Sequence, residues 1–274
     1  MTPDGVHVHD TGGPGTPVLF LHGLGGSAES WRPQLDALAA DRRCVAWTMP
    51  GYGPSARLPE MTIETLAGAA ADLLTALGAD RAHVVGHSLG GYVAQELALS
   101  APERVDRLVL VATTAAFGKP GSTFNVEFLA ARLRPLDQGR TPADIAPIVV
   151  DGLVAGTASA TVRAAAVASM SQISADAYRQ ALHALVAWDA RHRVGAIDAA
   201  TLCIAADADA TAPVRAVERL QQLIPGATLE VVVGSGHLVN LERPAEFTDL
   251  LRRFLHPSSA GPDRRRRASQ GRTP

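Results

Sequence analysis

Lysine is almost absent from this 274-residue chain: Lys119 is the only one, and arginine supplies the rest of the 25 basic residues. That imbalance reflects coding preference and carries no functional signal. Cysteine is nearly as scarce. Cys44 and Cys203 each fall inside an apolar run, which excludes a disulfide framework and marks them as small buried residues. Aromatics make up 4% of the chain, too few for an aromatic carbohydrate-binding surface. The formal net charge is −2, so no basic field favours nucleic acid or an anionic membrane as a partner. No apolar run approaches the ~18–20 residues of a membrane span. The opening Met1-Thr2-Pro3-Asp4-Gly5 lacks the basic-then-apolar pattern of a signal peptide, so a cytoplasmic location is expected. There is no dinucleotide fingerprint, no P-loop and no metal-ligand cluster, so neither cofactor nor metal is expected. The expected partner is a small-molecule substrate, and oligomeric state leaves no mark in the sequence.

What is present is apolar sequence in short runs: 47% of the residues are hydrophobic, enough for a large core. Val6–His9, Val18–Leu21, Cys44–Trp47, His83–Gly86, Leu108–Ala112, Thr201–Ala205 and Leu229–Val233 read as strands. Continuous rather than alternating apolarity is the pattern of strands buried on both faces of a parallel sheet. Helical spacing separates them, over Trp31–Ala40, Thr65–Leu77, Val214–Leu223 and Ala245–Leu255. Strand alternating with helix predicts an α/β fold with a mostly parallel, doubly wound sheet.

One long segment interrupts the alternation. Between residues 116 and 195 every patch is helical: Val126–Leu133, Ile145–Leu153, Thr161–Met170 and Ala177–Trp188. The predicted division is therefore a core of residues 1–115 and 196–256 with a helical cap, 116–195, inserted between its halves. An insertion on the loop side of such a sheet usually covers the active site. Phe117, Phe124, Phe128, Met170 and Trp188 from the cap and Trp31 from the core are candidates to line an apolar pocket, with Phe117, Phe128 and Trp188 the preferred three. Arg132 and Arg134 could meet a carboxylate on the substrate. Residues 257–274, with the run Arg264–Arg267, have no apolar periodicity and read as a disordered arginine-rich tail.

Gly86-His87-Ser88-Leu89-Gly90 carries the chemistry. It is the only G-x-S-x-G in the chain and sits between a strand and a helix, where a sharp turn presents the serine hydroxyl to an electrophile. A serine needs a base, and the base needs an orienting carboxylate. Of nine histidines, His237 in Gly234-Ser235-Gly236-His237 is the candidate, because it follows the last strand at the sheet edge where the serine turn emerges. His22 also follows a strand but stands next to Gly23, where shaping the loop is its expected role. The carboxylate should close another strand. Ala206-Asp207-Ala208-Asp209 offers two, with spacing favouring Asp209 and Asp207 the alternative.

Five blocks, in order, then identify a family resemblance: Leu21-His22-Gly23-Leu24-Gly25-Gly26, Pro50-Gly51-Tyr52-Gly53-Pro54-Ser55, Gly86 to Gly91, Ala206 to Asp209 with Pro213, and Gly234 to Leu238 with Glu242-Arg243-Pro244. The chain resembles α/β-hydrolase-fold enzymes of the enol-lactonase, esterase and carbon–carbon-bond (meta-cleavage product) hydrolase branch over residues 6 to 255. The resemblance implies Asp209, four residues before Pro213, as the acid. It also implies an oxyanion hole from the backbone amides of Leu24 and Leu89. Thr48, Ala200 and Ala206 depart from the family pattern at non-catalytic positions. The implied activity is serine-dependent hydrolysis of a small carboxylic ester or lactone. Cleavage of a carbon–carbon bond, or cofactor-free haloperoxidase or perhydrolase chemistry, is the alternative on the same residues. A binding protein on this fold would be expected to have lost Ser88, His237 or the acid. Dehalogenases and epoxide hydrolases are excluded, since those chemistries use an aspartate at the turn.

Overall fold

The computed structural model describes residues 5–256; the expected tail, 257–274, and the first four residues lie outside them. In chain order the elements are β1 (Val8–Asp10), β2 (Val18–Leu21), α1 (Arg32–Leu38), β3 (Cys44–Trp47), α2 (Ile63–Ala76), β4 (Ala82–His87), α3 (Leu89–Ser100) and β5 (Val105–Val111). Then come α4 (Thr123–Asp137), α5 (Pro142–Asp151), α6 (Ala160–Ser171) and α7 (Ala175–Ala187), followed by β6 (Ala200–Ala206), α8 (Val214–Leu223), β7 (Thr228–Val232), α9 (Val239–Glu242) and α10 (Pro244–Leu255).

The strands form one seven-stranded sheet in the order β1-β3-β2-β4-β5-β6-β7, parallel except for β1, which pairs antiparallel with β3. Helix α1 packs with α10 and α2 with α3. Strands β2, β3 and β4 between them are buried along their whole length. The phenyl ring of Phe20 sits 5.0 Å from Trp31, which in turn meets Phe247, so one aromatic cluster ties β2 to α10. Burial pushes the Cys44 and Cys203 thiols up to about 12, and both are free.

Two expectations change at the sheet edges. β1 begins at Val8 rather than Val6, and β7 is not buried on both faces: Val231 is 40% exposed, and Val233, just beyond it, 69%. An end strand has a neighbour on one side only, so its apolar run resembles a central strand in sequence without being covered like one.

The four inserted helices run from α4 to α7, between β5 and β6. Each begins at a hydroxyl side chain that accepts from the amide three residues on: Ser122 from Asn125, Thr141 from Asp144, Ser159 from Val162 and Ser174 from Ala177. These caps satisfy amides that the first turn leaves without a partner. The segment's ends meet at a bridge between Ala116 and Asp189, reinforced by the Ala190 amide donating to the Ala115 carbonyl at 2.9 Å. Among the described residues no helix is long and apolar enough to cross a membrane.

Candidate active site

Because six strands run the same way, the loops after β2, β4, β6 and β7 all emerge at one edge of the sheet, and each supplies a candidate residue. The turn after β4 is the tightest. Ser88 has φ 52° and ψ −117°, a left-handed strained conformation held from both sides. Its amide donates to the Val111 carbonyl and its carbonyl accepts from the Thr113 hydroxyl, both at 2.9 Å. The flanking glycines are required by space. A Cβ on Gly90 would overlap the Leu21 carbonyl, and one on Gly86 would overlap the Gly90 carbonyl. Helix α3 therefore lies directly against the end of β2, and Ser88 is left half-buried at the floor of a cavity.

His237 and Asp209 are joined. Nδ1–H of His237 donates to Oδ2 of Asp209 at 2.7 Å, and both residues are buried. The other carboxylate oxygen accepts from the amides of Thr211 at 2.7 Å and Ala212 at 3.0 Å. Burial pushes the Asp209 carboxyl up, but the His237 hydrogen bond and charge and the two amides outweigh it and hold it below the usual carboxylate range. Asp207 does something different: its Oδ1 accepts from the Gly234 amide at 2.7 Å and holds the loop that carries His237.

The base loop has two further supports. Nε2–H of His87 donates to the His237 carbonyl at 2.8 Å, linking the serine turn to the histidine loop. Burial, then the neighbouring His237 charge, pushes His87 down to about 3, so it stays a neutral donor. The second support is the Glu242 carboxylate. It accepts from Gly236 at 3.1 Å, Leu238 at 3.2 Å and Ala155 at 2.9 Å, the last from the loop after α5. The His237 amide itself donates to the Leu153 carbonyl at 2.6 Å. Glu242 was visible only as part of a sequence block, and nothing in the sequence pointed to contact with residue 155.

His22 shapes its loop, as expected. Nδ1–H donates to the Gly23 carbonyl at 2.9 Å and Nε2 accepts from Met49 at 2.9 Å, and burial pushes it down to about 4. This fixes the turn that carries Leu24. Leu89 is the first residue of α3, so its amide has no partner within the helix and points along the favourable end of the helix dipole.

Ser88 and His237 line one cavity. Leu24, Thr113, Thr114 and Ala212 contribute from the sheet side; Phe117, Phe128, Arg132, Met170 and Tyr178 contribute from the inserted segment. Phe117 and Phe128 are therefore where the sequence placed them, with ring centroids 4.5 Å apart. Trp188 is not. It lies behind the wall, stacked on Tyr92 at 5.0 Å, and its indole N–H donates to Glu96 at 2.8 Å. Glu96 also takes Arg193 at 2.7 Å, so Trp188 anchors the end of the insertion to α3 rather than facing a substrate. Phe124 is 56% exposed. A second pocket, which shares Leu24, Leu153 and Met170 with the first, includes Trp31 and His87 in its lining. Among the described residues, no group of three or more His, Cys, Asp or Glu side chains is arranged to hold a metal ion.

A mostly parallel sheet with a strained serine turn, a histidine–aspartate pair and an inserted helical wall defines a hydrolase of the α/β class. The family model for the alpha/beta hydrolase fold matches residues 16–244, and the chain belongs to that family. It is 36% identical over 254 residues to a protein of Variovorax paradoxus that bears the name "Putative carbamate hydrolase RutD", covering 90% of this chain and 94% of that one. Among solved structures it resembles the enol-lactonase of Burkholderia xenovorans LB400, with a TM-score of 0.80 and 25% identity over 93% of this chain and 98% of that one. It also resembles a thermophilic esterase from Thermogutta terrifontis, with a TM-score of 0.81 and 27% identity over 91% and 92%.

Proposed function

We propose that this enzyme hydrolyses a small carboxylic ester or lactone through an acyl-enzyme on Ser88. The observation that carries the reading is the 2.7 Å His237–Asp209 hydrogen bond beside a strained serine in one cavity. The esterase and enol-lactonase neighbours agree with it. His237 takes the Ser88 proton as Oγ attacks the carbonyl carbon. The carbonyl oxygen becomes an alkoxide, met by the amides of Leu24 and Leu89. His237 then returns the proton to the leaving alkoxy oxygen, which departs and leaves the acyl group on Ser88. In the second half His237 takes a proton from water as its oxygen attacks the acyl carbon, then returns that proton to the departing Ser88 Oγ, and the acid is released with the serine restored. Asp209 keeps the Nδ1 proton in place and stabilises the imidazolium. The inserted helices, residues 116–195, act as a cap that selects the acyl and alcohol groups.

The test is intact-mass detection of a fluorophosphonate adduct at Ser88, run in competition with a panel of esters, lactones and dienoates. The expected result is one adduct, absent in Ser88→Ala, with esters or lactones protecting and a turnover loss of about 10⁶-fold in that variant. No adduct in the wild type, or unchanged turnover in Ser88→Ala, overturns the reading. Protection and turnover by dienoates alone would transfer the site to carbon–carbon-bond cleavage.

A further inference from the structure

Among the described residues lining the cavity that holds Ser88, Arg132 is the only arginine, lysine, aspartate or glutamate. Besides Ser88 and His237, the other cavity-facing groups are apolar side chains, threonines and tyrosines. A guanidinium placed there without need is costly, because part of its hydration is lost. Elsewhere in the same segment arginines have carboxylates: Arg163 pairs with Asp151, Arg179 with Asp137 at 2.6 Å and Arg191 with Asp189. Arg132 has no carboxylate partner among the described residues, and its guanidinium lies over the Phe128 ring, 5.5 Å from the centroid.

Tyr178, from α7, faces the same cavity. The residue is fully buried, and apart from the Arg132 guanidinium its hydroxyl has no hydrogen-bond partner among the described residues. Burial pushes that hydroxyl up, and the charge and hydrogen bond of the Arg132 guanidinium pull it back, so the two groups are direct neighbours. A guanidinium accepts nothing, so the phenol proton of Tyr178 stays unshared, and a half-buried guanidinium without a carboxylate is a standing cost as well. One ligand group relieves both. A carboxylate accepts two parallel N–H bonds from arginine and a third from a phenol.

Arg132 also stands in the wall between the cavity and an outer groove, where Arg140 adds positive charge and Ile148 is 72% exposed. An anionic molecule approaching by that groove meets a positive field before it meets Ser88. Arg134, two residues on, is exposed and lies outside the cavity lining.

We propose that Arg132 and Tyr178 form a subsite for a carboxylate carried by the substrate, so that the preferred esters or lactones are those bearing a free acid group distant from the scissile bond. This rests on the ester or lactone reading above. The carboxylate docks unchanged, while the chemistry stays at Ser88.

The experiment uses matched pairs of p-nitrophenyl esters: diacid monoesters over a series of chain lengths, and the same esters with the free acid methylated. The readout is the ratio of kcat/KM for acid over methylated substrate, which separates binding of the charge from the efficiency of the site. Charge-assisted hydrogen bonds of this kind predict a ratio of about 10 to 100 at the best chain length. Arg132→Gln should bring the ratio close to one. Arg132→Lys should restore part of it, since charge returns without the planar fork. Tyr178→Phe, which keeps the ring in the core, should lower it about fivefold. Arg134→Gln should leave it where it was. A wild-type ratio near one at every chain length, or a ratio unmoved by Arg132→Gln, overturns the subsite. If the methylated esters turn over and Ser88 takes the fluorophosphonate, that failure belongs to the subsite alone. If neither ester turns over and no adduct forms, the acyl-enzyme reading falls and takes the subsite with it.

Discussion

Main-chain geometry holds the sheet-side wall of the cavity, whereas side chains hold the helical wall that faces it. On the sheet side, Ser88 is fixed by a carbonyl from β5 and a hydroxyl just beyond it, and α3 touches β2 where only glycine fits. On the other side the inserted segment presents Phe117 from the loop before α4, Phe128 and Arg132 from α4 and Tyr178 from α7, while Phe124, Val126 and Ile148 remain exposed. The difference is one of tolerance. Reacting atoms need placement within about half an ångström, which close backbone contact can give. Selecting a substrate needs a surface that can be exchanged without moving those atoms, and helices with separate N-caps offer that. Changes to the sheet side should therefore cost chemistry and fold together, and changes to the helical side should alter preference.

The largest break expected on the sheet side, after loss of the serine itself, is Asp209→Asn. The amide side chain would accept less strongly at the His237 Nδ1–H, favour the wrong tautomer and leave the imidazolium unsupported. Turnover should fall about 10⁴-fold with little change in KM. Asp207→Asn keeps an oxygen for the Gly234 amide and should cost less than tenfold. Steady-state kinetics on the two variants decides the assignment. A larger loss in Asp207→Asn would mean that the residue holding the loop, not the one bonded to His237, is the acid.

The next contrast is one of stability. Gly90→Ala drives a methyl into the Leu21 and His22 carbonyls, and it can be relieved only by moving α3 off β2. A loss of about 3 kcal/mol is expected, read as a lower denaturation midpoint. Gly156→Ala, in the loop between α5 and α6, meets nothing within 4 Å and should be close to neutral. Equal losses at the two sites would remove the distinction between a rigid wall and an adaptable one.

Much of the sheet side could be read from the sequence because its constraints are local. A turn that admits only glycine at Gly86 and Gly90 leaves a motif, and so does the strand-end histidine in Gly234–His237. Where two residues share one loop, local pattern stops short. Asp207 and Asp209 both follow β6, and only the fold shows that one reaches the Gly234 amide and the other the imidazole. The helical side was legible in outline, since an apolar patch marks each helix. Its inward faces were not. Arg132 and Arg134 are about 200° apart around α4, and which of them faces Ser88 depends on how α4 lies against the core. Trp188 fails for a related reason: a large aromatic at a helix end has the same sequence signature whether it lines a cavity or, as here, reaches Glu96 behind it.

The smallest expected effect bears on the seam between the walls. Glu242 accepts from Gly236 and Leu238 on either side of His237, and from Ala155 on the helical side. Glu242→Gln keeps one oxygen and turns an NH₂ toward amides that need an acceptor. The loss should be about 1 kcal/mol in stability and up to tenfold in kcat. Hydrogen exchange distinguishes the two ways this could arise. If the carboxylate joins the walls, protection at Ala155, Gly236 and Leu238 falls together in the variant, and movement of the helical wall reaches the His237 loop through it. If protection falls at Gly236 and Leu238 while Ala155 is unchanged, Glu242 braces its own loop only. The two walls are then joined at this point by the hydrogen bond from the His237 amide to the Leu153 carbonyl and by Leu238 packed against Val150, Val154 and Ala166.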